Sequence, residues 1–252
     1  MRLWVFPELH LDTPAGTIDV EQLARPITDD RFAELGAIAA ELGIWLVPGT
    51  FYERGVGGRV HNTAVVFGPD GAVRASYRKI FPWRPAEVCA PGEAFTVFEI
   101  PGYGNVGLSI CYDIWFPEHT RQLAWQGADV ILNLVQTNTS DREQEQAIVR
   151  GNAIMNQVWI ASVNASAPTG RGRSLLVDPD GAVRMSSGTS GDEILTTVID
   201  FEQVDAVRRF GTAGVSRPWA QFRREDEPVE LPLYSGRITP SAWAPRTTEV
   251  RA

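Results

Sequence analysis

Two cysteines, Cys89 and Cys111, are the only thiols in this chain of 252 residues, and Cys111 has the neighbours that suit chemistry. Ahead of it Val106, Leu108 and Ile110 alternate with Gly107 and Ser109, the period-2 pattern of a strand. Behind it Pro117 suits a first helical position, Glu118 favours the positive end of the helix dipole, and Gly127 stops the helix. A thiol at such a strand end faces a cleft, is held by rigid elements on both sides, and lies near amides that stabilise a thiolate. Cys111 therefore reads first as a nucleophile; the plainer alternative is a small buried core residue. An ordinary thiol, with a pKa of about 8.5, is mostly protonated at neutral pH, so attack on an amide carbon needs a base within hydrogen-bond reach. The three histidines, His10, His61 and His119, have no metal-ligand spacing. His119 in the first turn after Cys111, and His10 two residues past Glu8, both stay open as bases, although a surface or supporting place suits each better. There is no Gly-x-Ser-x-Gly elbow, and the Gly102-Tyr103-Gly104-Asn105-Val106-Gly107 run joins two strands, which makes it a turn and not a phosphate cradle.

The elements that must hold Cys111 alternate along the chain. Met1 to Glu8 reads as a strand ending at Pro7 with a carboxylate at its tip, and Leu9 to Thr28, with Pro14, Gly16 and Pro26, as a loop. Asp29 or Asp30 can cap a helix from Arg31 to Gly43, with Phe32, Leu35, Ile38, Ala39 and Leu42 on one face. Ile44 to Val47 follows as a buried strand. Val65 to Arg74 and Leu175 to Arg184 each read as a strand, a Pro-Asp-Gly turn and a second strand. Phe95 to Ile100, Val130 to Leu134, Trp159 to Asn164 and Ile194 to Ile199 read as strands; Asp141 to about Gln157 and Glu202 to Arg209 read as helices. The order implies a mixed-sheet α/β domain over residues 1–224. From Glu225 the pattern fails, and Pro228, Pro232, Pro240 and Pro245 leave a proline-rich tail over 225–252.

Composition bounds the partners. With 44% hydrophobic and 21% charged residues the chain has the make-up of a soluble globular protein, and a net charge of -8 without a basic run argues against nucleic acid and anionic membrane as partners. No signal peptide pattern or membrane-length apolar run is present, and two cysteines fit a reducing cytoplasm.

Three short segments stand out together: Phe6-Pro7-Glu8; Tyr77-Arg78-Lys79 with Ile80-Phe81-Pro82-Trp83-Arg84-Pro85-Ala86-Glu87; and Cys111-Tyr112-Asp113 with Phe116-Pro117-Glu118. This set resembles the nitrilase superfamily of carbon-nitrogen hydrolases across nearly the whole chain. The resemblance implies a four-layer αββα sandwich with two mixed sheets, paired into a homodimer through its outer helices, and an amidase-like activity without cofactor or metal on a small linear amide. By it Cys111 is the nucleophile, Glu8 the general base, Lys79 the cation beside the oxyanion, and Glu87 a second carboxylate that positions the substrate. The amide of Tyr112 is the candidate for a second oxyanion donor, and Trp83, Tyr112, Trp115 and Gln136 are candidates for the substrate pocket. Glu118 reads as structural and Cys89 as a spectator.

Three departures qualify the resemblance. Many relatives carry arginine where Trp115 stands. Nitrilases proper usually follow the cysteine with Trp-Glu, whereas Tyr112-Asp113 looks like the amidase-like branches. Relatives also begin with a strand and a helix ahead of the glutamate segment, which predicts that coding sequence for both continues upstream of Met1. A nitrilase acting on nitriles, and a non-catalytic scaffold that keeps the residues without a working cleft, remain the rival expectations.

Overall fold

The computed structural model describes residues 1–12, 19–231 and 233–237. Pro14, Gly16, Pro232, Pro240 and Pro245 of the expected loop and tail lie outside the described residues. The compact unit that concerns the site runs from Met1 to Pro218; from Trp219 onward the chain clusters separately, with short 3₁₀ turns at Pro218–Ala220 and Leu233–Gly236 and no strand among its described residues.

Eleven strands of the described residues build two sheets. The first sheet holds β1 (Leu3–Val5), β2 (Trp45–Val47), β3 (Thr50–Arg54), β4 (Val60–Phe67) and β5 (Val73–Arg78). β1 runs parallel to β2, and β4 pairs antiparallel with β2, β3 and β5. The second sheet holds β6 (Val97–Ile100), β7 (Gly104–Ile110), β8 (Val130–Val135), β9 (Trp159–Asn164), β10 (Leu175–Val177) and β11 (Val183–Ser186), side by side in the order β11-β10-β9-β8-β7-β6. Its centre, β7-β8-β9, is parallel and its flanks antiparallel. Both sheets are mixed, as expected, and both Pro-Asp-Gly segments turn hairpins, β4-β5 and β10-β11.

The sheets face each other over one core. Trp45, Val47, Ala64, Val66 and Tyr77 of the first meet Phe98, Leu108, Ile110, Leu132, Leu134 and Leu176 of the second. Because a helix also covers each outer face, the strands are buried on both sides and read as continuous apolar runs; β8 is buried at every position. A short helix α1 (Val20–Leu23) opens the described chain after the gap, and α2 (Asp30–Leu42) packs Phe32 and Ala39 on Leu46, Phe51, Val65 and Phe67. Asp29 caps α2, and Gly43 ends it in the left-handed region at φ 59°. On the other side lie α3 (Pro117–Trp125) and α4 (Arg142–Asn156), and the chain continues to α5 (Glu202–Phe210). Gly107 lets α3 approach β7, since a Cβ there would stand 3.1 Å from Leu123.

Two expectations fail. Ile194 to Ile199 is not a strand: Ile194 and Val198 are 80% and 85% exposed, and the segment has no ladder partner among the described residues, so β-branched composition had nothing to pair with. The loop expected over Leu9 to Thr28 contains α1, whose cap Asp19 accepts from the amides of Glu21 and Gln22.

Candidate active site

Glu8, Lys79 and Cys111 each sit just past the end of a strand, which is how distant segments meet. Phe6 still pairs with Val47 (2.9 Å) beside β1; Leu9 then turns into the left-handed region at φ 50°, with its amide on the Thr50 hydroxyl (2.8 Å). That reversal buries the Glu8 side chain to 3% exposure. Gly49 makes room for it: at φ 94°, a Cβ would stand 2.2 Å from the carbonyl oxygen of Pro7. Lys79 follows β5 and donates its amide to the carbonyl of Asn62 on β4 (2.9 Å), which turns its side chain inward at 2% exposure.

The three polar side chains then converge. Lys79 Nζ donates to Glu8 Oε1 at 3.0 Å and to Glu87 Oε2 at 2.7 Å. Asn62 Nδ2, fully buried, donates to the same two carboxylates, at 2.8 Å to Glu8 and 3.3 Å to Glu87. The Glu87 loop is closed by the Trp83 amide, which donates to the Glu87 carboxylate, and by the Glu87 amide on the Trp83 carbonyl. Asn62 was not singled out in the sequence, where it is one more residue of an apolar strand.

Cys111 follows β7 with φ 45°, a strained conformation for a residue with a side chain. A 3₁₀ turn over Cys111–Trp115 follows before α3. Asp113 fixes this turn from below: its buried carboxylate accepts from the amide of Ile110 (2.9 Å), the amide of Phe81 (2.9 Å) and the hydroxyl of Tyr77 (2.7 Å). The Cys111 turn and the Tyr77 to Phe81 segment that carries Lys79 are thereby tied through one carboxylate. His119 joins the same cluster, with Nε2 2.7 Å from the Tyr77 hydroxyl. It is fully buried and burial lowers its pKa, so this histidine is a neutral support behind the cysteine turn. His10 stacks on Phe6 and His61 contacts the Ala90 carbonyl; neither makes a hydrogen bond to Cys111.

The other side of the thiol is Thr137, whose Oγ1 lies 3.7 Å from Cys111 Sγ and 3.2 Å from Glu145 Oε1. Glu145 pairs with Arg142 at 2.7 Å, and both are buried. The cleft above is lined by the expected Trp83, Tyr112, Trp115 and Gln136, together with Thr137, Asp141 and Glu145. A roomier surface hollow at Asp19, Arg59 and Val88 includes none of the candidate residues.

Charge within this cluster sets which group can do what. Burial raises the pKa of Glu8; Lys79 pulls it down and Glu87 pushes it up, with hydrogen bonds from Lys79 and Cys111 pulling down. Burial alone would lower Lys79, but Glu8, Cys111 and Glu87 hold it well above its usual value. Burial, and then Glu8, push Cys111 well above the ordinary thiol range. Cys111 is therefore a neutral thiol beside a carboxylate of raised basicity and a fixed ammonium. Cys89 is buried, raised to about 12 chiefly by burial, and makes no disulfide.

Among the described residues no group of three or more His, Cys, Asp and Glu side chains could hold a metal, and no helix is long and apolar enough to cross a membrane.

Comparison with known proteins decides the family: the carbon-nitrogen hydrolase family model matches residues 1–209. This chain belongs to that family. Among curated proteins it is 30% identical to the omega-amidase NIT2 of Xenopus tropicalis, over 78% of this chain and 76% of that protein, and 29% identical to the human one, over 79% and 76%. Its fold matches yeast Nit3, of branch 10 of the nitrilase superfamily, with TM-score 0.73, 28% identity and coverage of 82% of this chain and 80% of the other. It also matches an amidase from Nesterenkonia sp. AN1 with acrylamide added at its active-site cysteine, at TM-score 0.63, 25% identity and coverage of 75% and 76%. The four-layer nitrilase-like sandwich expected of the chain is the fold it has, and carbon-nitrogen hydrolysis is the chemistry of its family.

Proposed function

We propose that this carbon-nitrogen hydrolase is an amidase that cleaves a small linear amide through a thioester on Cys111. The observation that carries the reading is the contact of Lys79 Nζ with both Glu8 and Glu87 in a buried cluster at Cys111. The Cys111 thiol gives its proton to Glu8 as Sγ attacks the amide carbon. The carbonyl oxygen takes the displaced electron pair, and Lys79 with the amide of Tyr112 stabilises it, each donor contributing about 3–4 kcal/mol in comparable sites. Collapse of this intermediate breaks the C–N bond while Glu8 passes its proton to the nitrogen, which leaves as ammonia or an amine. Water, deprotonated by Glu8, then attacks the thioester; the acid is released and the thiol regains its proton. Glu87 shares Lys79 with Glu8 and positions the substrate nitrogen. A neutral thiol in the resting state favours this concerted transfer over a preformed thiolate.

The names of the omega-amidase and amidase relatives support amide rather than nitrile cleavage. Assembly as a homodimer through the outer helices, in the cytoplasm, belongs to the same proposal: α3 and α4 turn Trp125, Ile154 and Met155 outward. The test is ammonia release from a panel of amides and their nitrile counterparts, with Cys111→Ala as control. Turnover of amides that is lost in the variant supports the reading. Turnover of nitriles alone would make the chain a nitrilase, and no turnover alongside a sluggish Cys111 would make it a scaffold.

A further inference from the structure

The cleft over Cys111 is uneven in charge. Two carboxylates, Asp141 and Glu145, line it with the aromatic side chains of Trp83, Tyr112 and Trp115, and no lysine or arginine is among its described lining residues. Arg142 balances Glu145 from behind, and Lys79 balances one of its two partners, Glu8 or Glu87. Asp141 has no ion-pair partner among the described residues. Its side chain accepts from the Thr139 hydroxyl but does not cap α4, which starts at the next residue. With all these carboxylates ionised, the ion pairs among the described residues leave two negative charges around the nucleophile without a paired cation, one at the wall and one at the catalytic end. Burial raises the pKa of Glu145, against the pull of Arg142 and the Thr137 hydroxyl, and Asp141 adds a little to the rise.

Such a cleft repels an anionic chain and attracts a cationic one. For a primary amide the departing group is ammonia, so the wall is left to the acyl chain. We propose that the substrate is a short primary amide whose acyl chain carries an ammonium group, drawn by the Asp141 carboxylate and flanked by the indoles of Trp83 and Trp115. This rests on the amidase reading above and adds the charge class of its substrate. One unit of charge at a partly exposed protein site is worth about tenfold in affinity or more.

The experiment compares kcat/KM for three amides of similar length by ammonia release: 4-aminobutanamide, pentanamide and succinamate, with ammonium, methyl and carboxylate ends. The expected order is ammonium over methyl by about tenfold or more, and methyl over carboxylate by a similar factor. Asp141→Asn should lower the ammonium-to-methyl ratio about tenfold. In the unaltered enzyme, raising salt from about 0.05 to 1 M should shrink the same ratio, and this arm stands even if the variant fails to fold. A ratio near one, a preference for succinamate, or a ratio that neither salt nor Asp141→Asn moves would overturn the proposal while leaving the amidase reading intact. Failure to hydrolyse these or any other amide would overturn both.

Discussion

Replacing Lys79 by methionine keeps most of the buried volume and removes one charge, and two separate consequences follow from its contacts. The first falls on the oxyanion. Loss of one donor in a buried site costs about 10²- to 10³-fold in rate. The second falls on the base: Glu8 and Glu87, both held by Asn62, would face each other without the ammonium that now lies 3.0 and 2.7 Å from them. Two carboxylates sharing a site without a cation do not both stay ionised, so the pair keeps a proton at neutral pH. The protonated fraction is unavailable as a base at pH 7, which adds to the first loss. The expected loss in kcat/KM at pH 7 is therefore greater than the about 10²- to 10³-fold of the donor alone, with the acid limb displaced upward. Stability follows the same protons. In the variant the folded-state pKa of the carboxylate pair lies above the unfolded value near 4.5. The stability tied to that proton is present below pH 4.5 and is lost as pH rises through the raised value. Its melting deficit against the parent protein should thus widen from pH 4.5 to 7. The assay is ammonia release across pH together with melting at both pH values. A variant that keeps more than a tenth of the rate with an unmoved acid limb would refute the assigned role of Lys79.

The unaltered enzyme should lose kcat/KM on acidification with a midpoint above 4.5, because burial raises Glu8, and should show no loss from Lys79 below pH 10, because its carboxylate partners hold it charged; a rise that tracks an ordinary thiol near pH 8.5 would contradict a base-assisted neutral nucleophile. Glu8→Gln should slow iodoacetamide labelling of Cys111 more than Glu87→Gln does, since only Glu8 is assigned proton transfer; equal slowing in both would contradict that division. Gly49→Ala should lower stability by about 1–3 kcal/mol and kcat with it, because its Cβ would meet the Pro7 carbonyl at 2.2 Å and must shift the segment holding Glu8; melting and turnover that match the parent would show that the segment yields freely.

The sequence carried the strands and turns that local patterns encode. Cys111 between an alternating strand and a Pro117 helix start, Gly43 after α2, and the two Pro-Asp-Gly hairpins all rest on short-range chemistry, and all are present in the fold. What stayed hidden depends on contacts between segments far apart in the chain. Asn62 lies in the buried strand VHNTAVVF, and nothing near it in sequence reveals that its amide meets residues 54 and 25 positions away. Glu145 and Arg142 look like the polar face of an exposed helix, yet they pair inside the protein beside Thr137. Asp113, read only as part of a motif, locks the cysteine turn to Phe81, 32 residues earlier. Ile194 to Ile199 erred the other way: its composition suits a strand, but pairing is a property of neighbours, and no strand among the described residues pairs with it.

The central claim, an acyl group carried on Cys111, is tested most directly by quenching the enzyme in acid during turnover of a slow amide and mapping the adduct by peptide mass spectrometry. The account predicts the acyl mass on the peptide containing Cys111, absent from Cys89, discharged by hydroxylamine and never formed in Cys111→Ala. An adduct on any other residue, or steady turnover by the alanine variant, would contradict it.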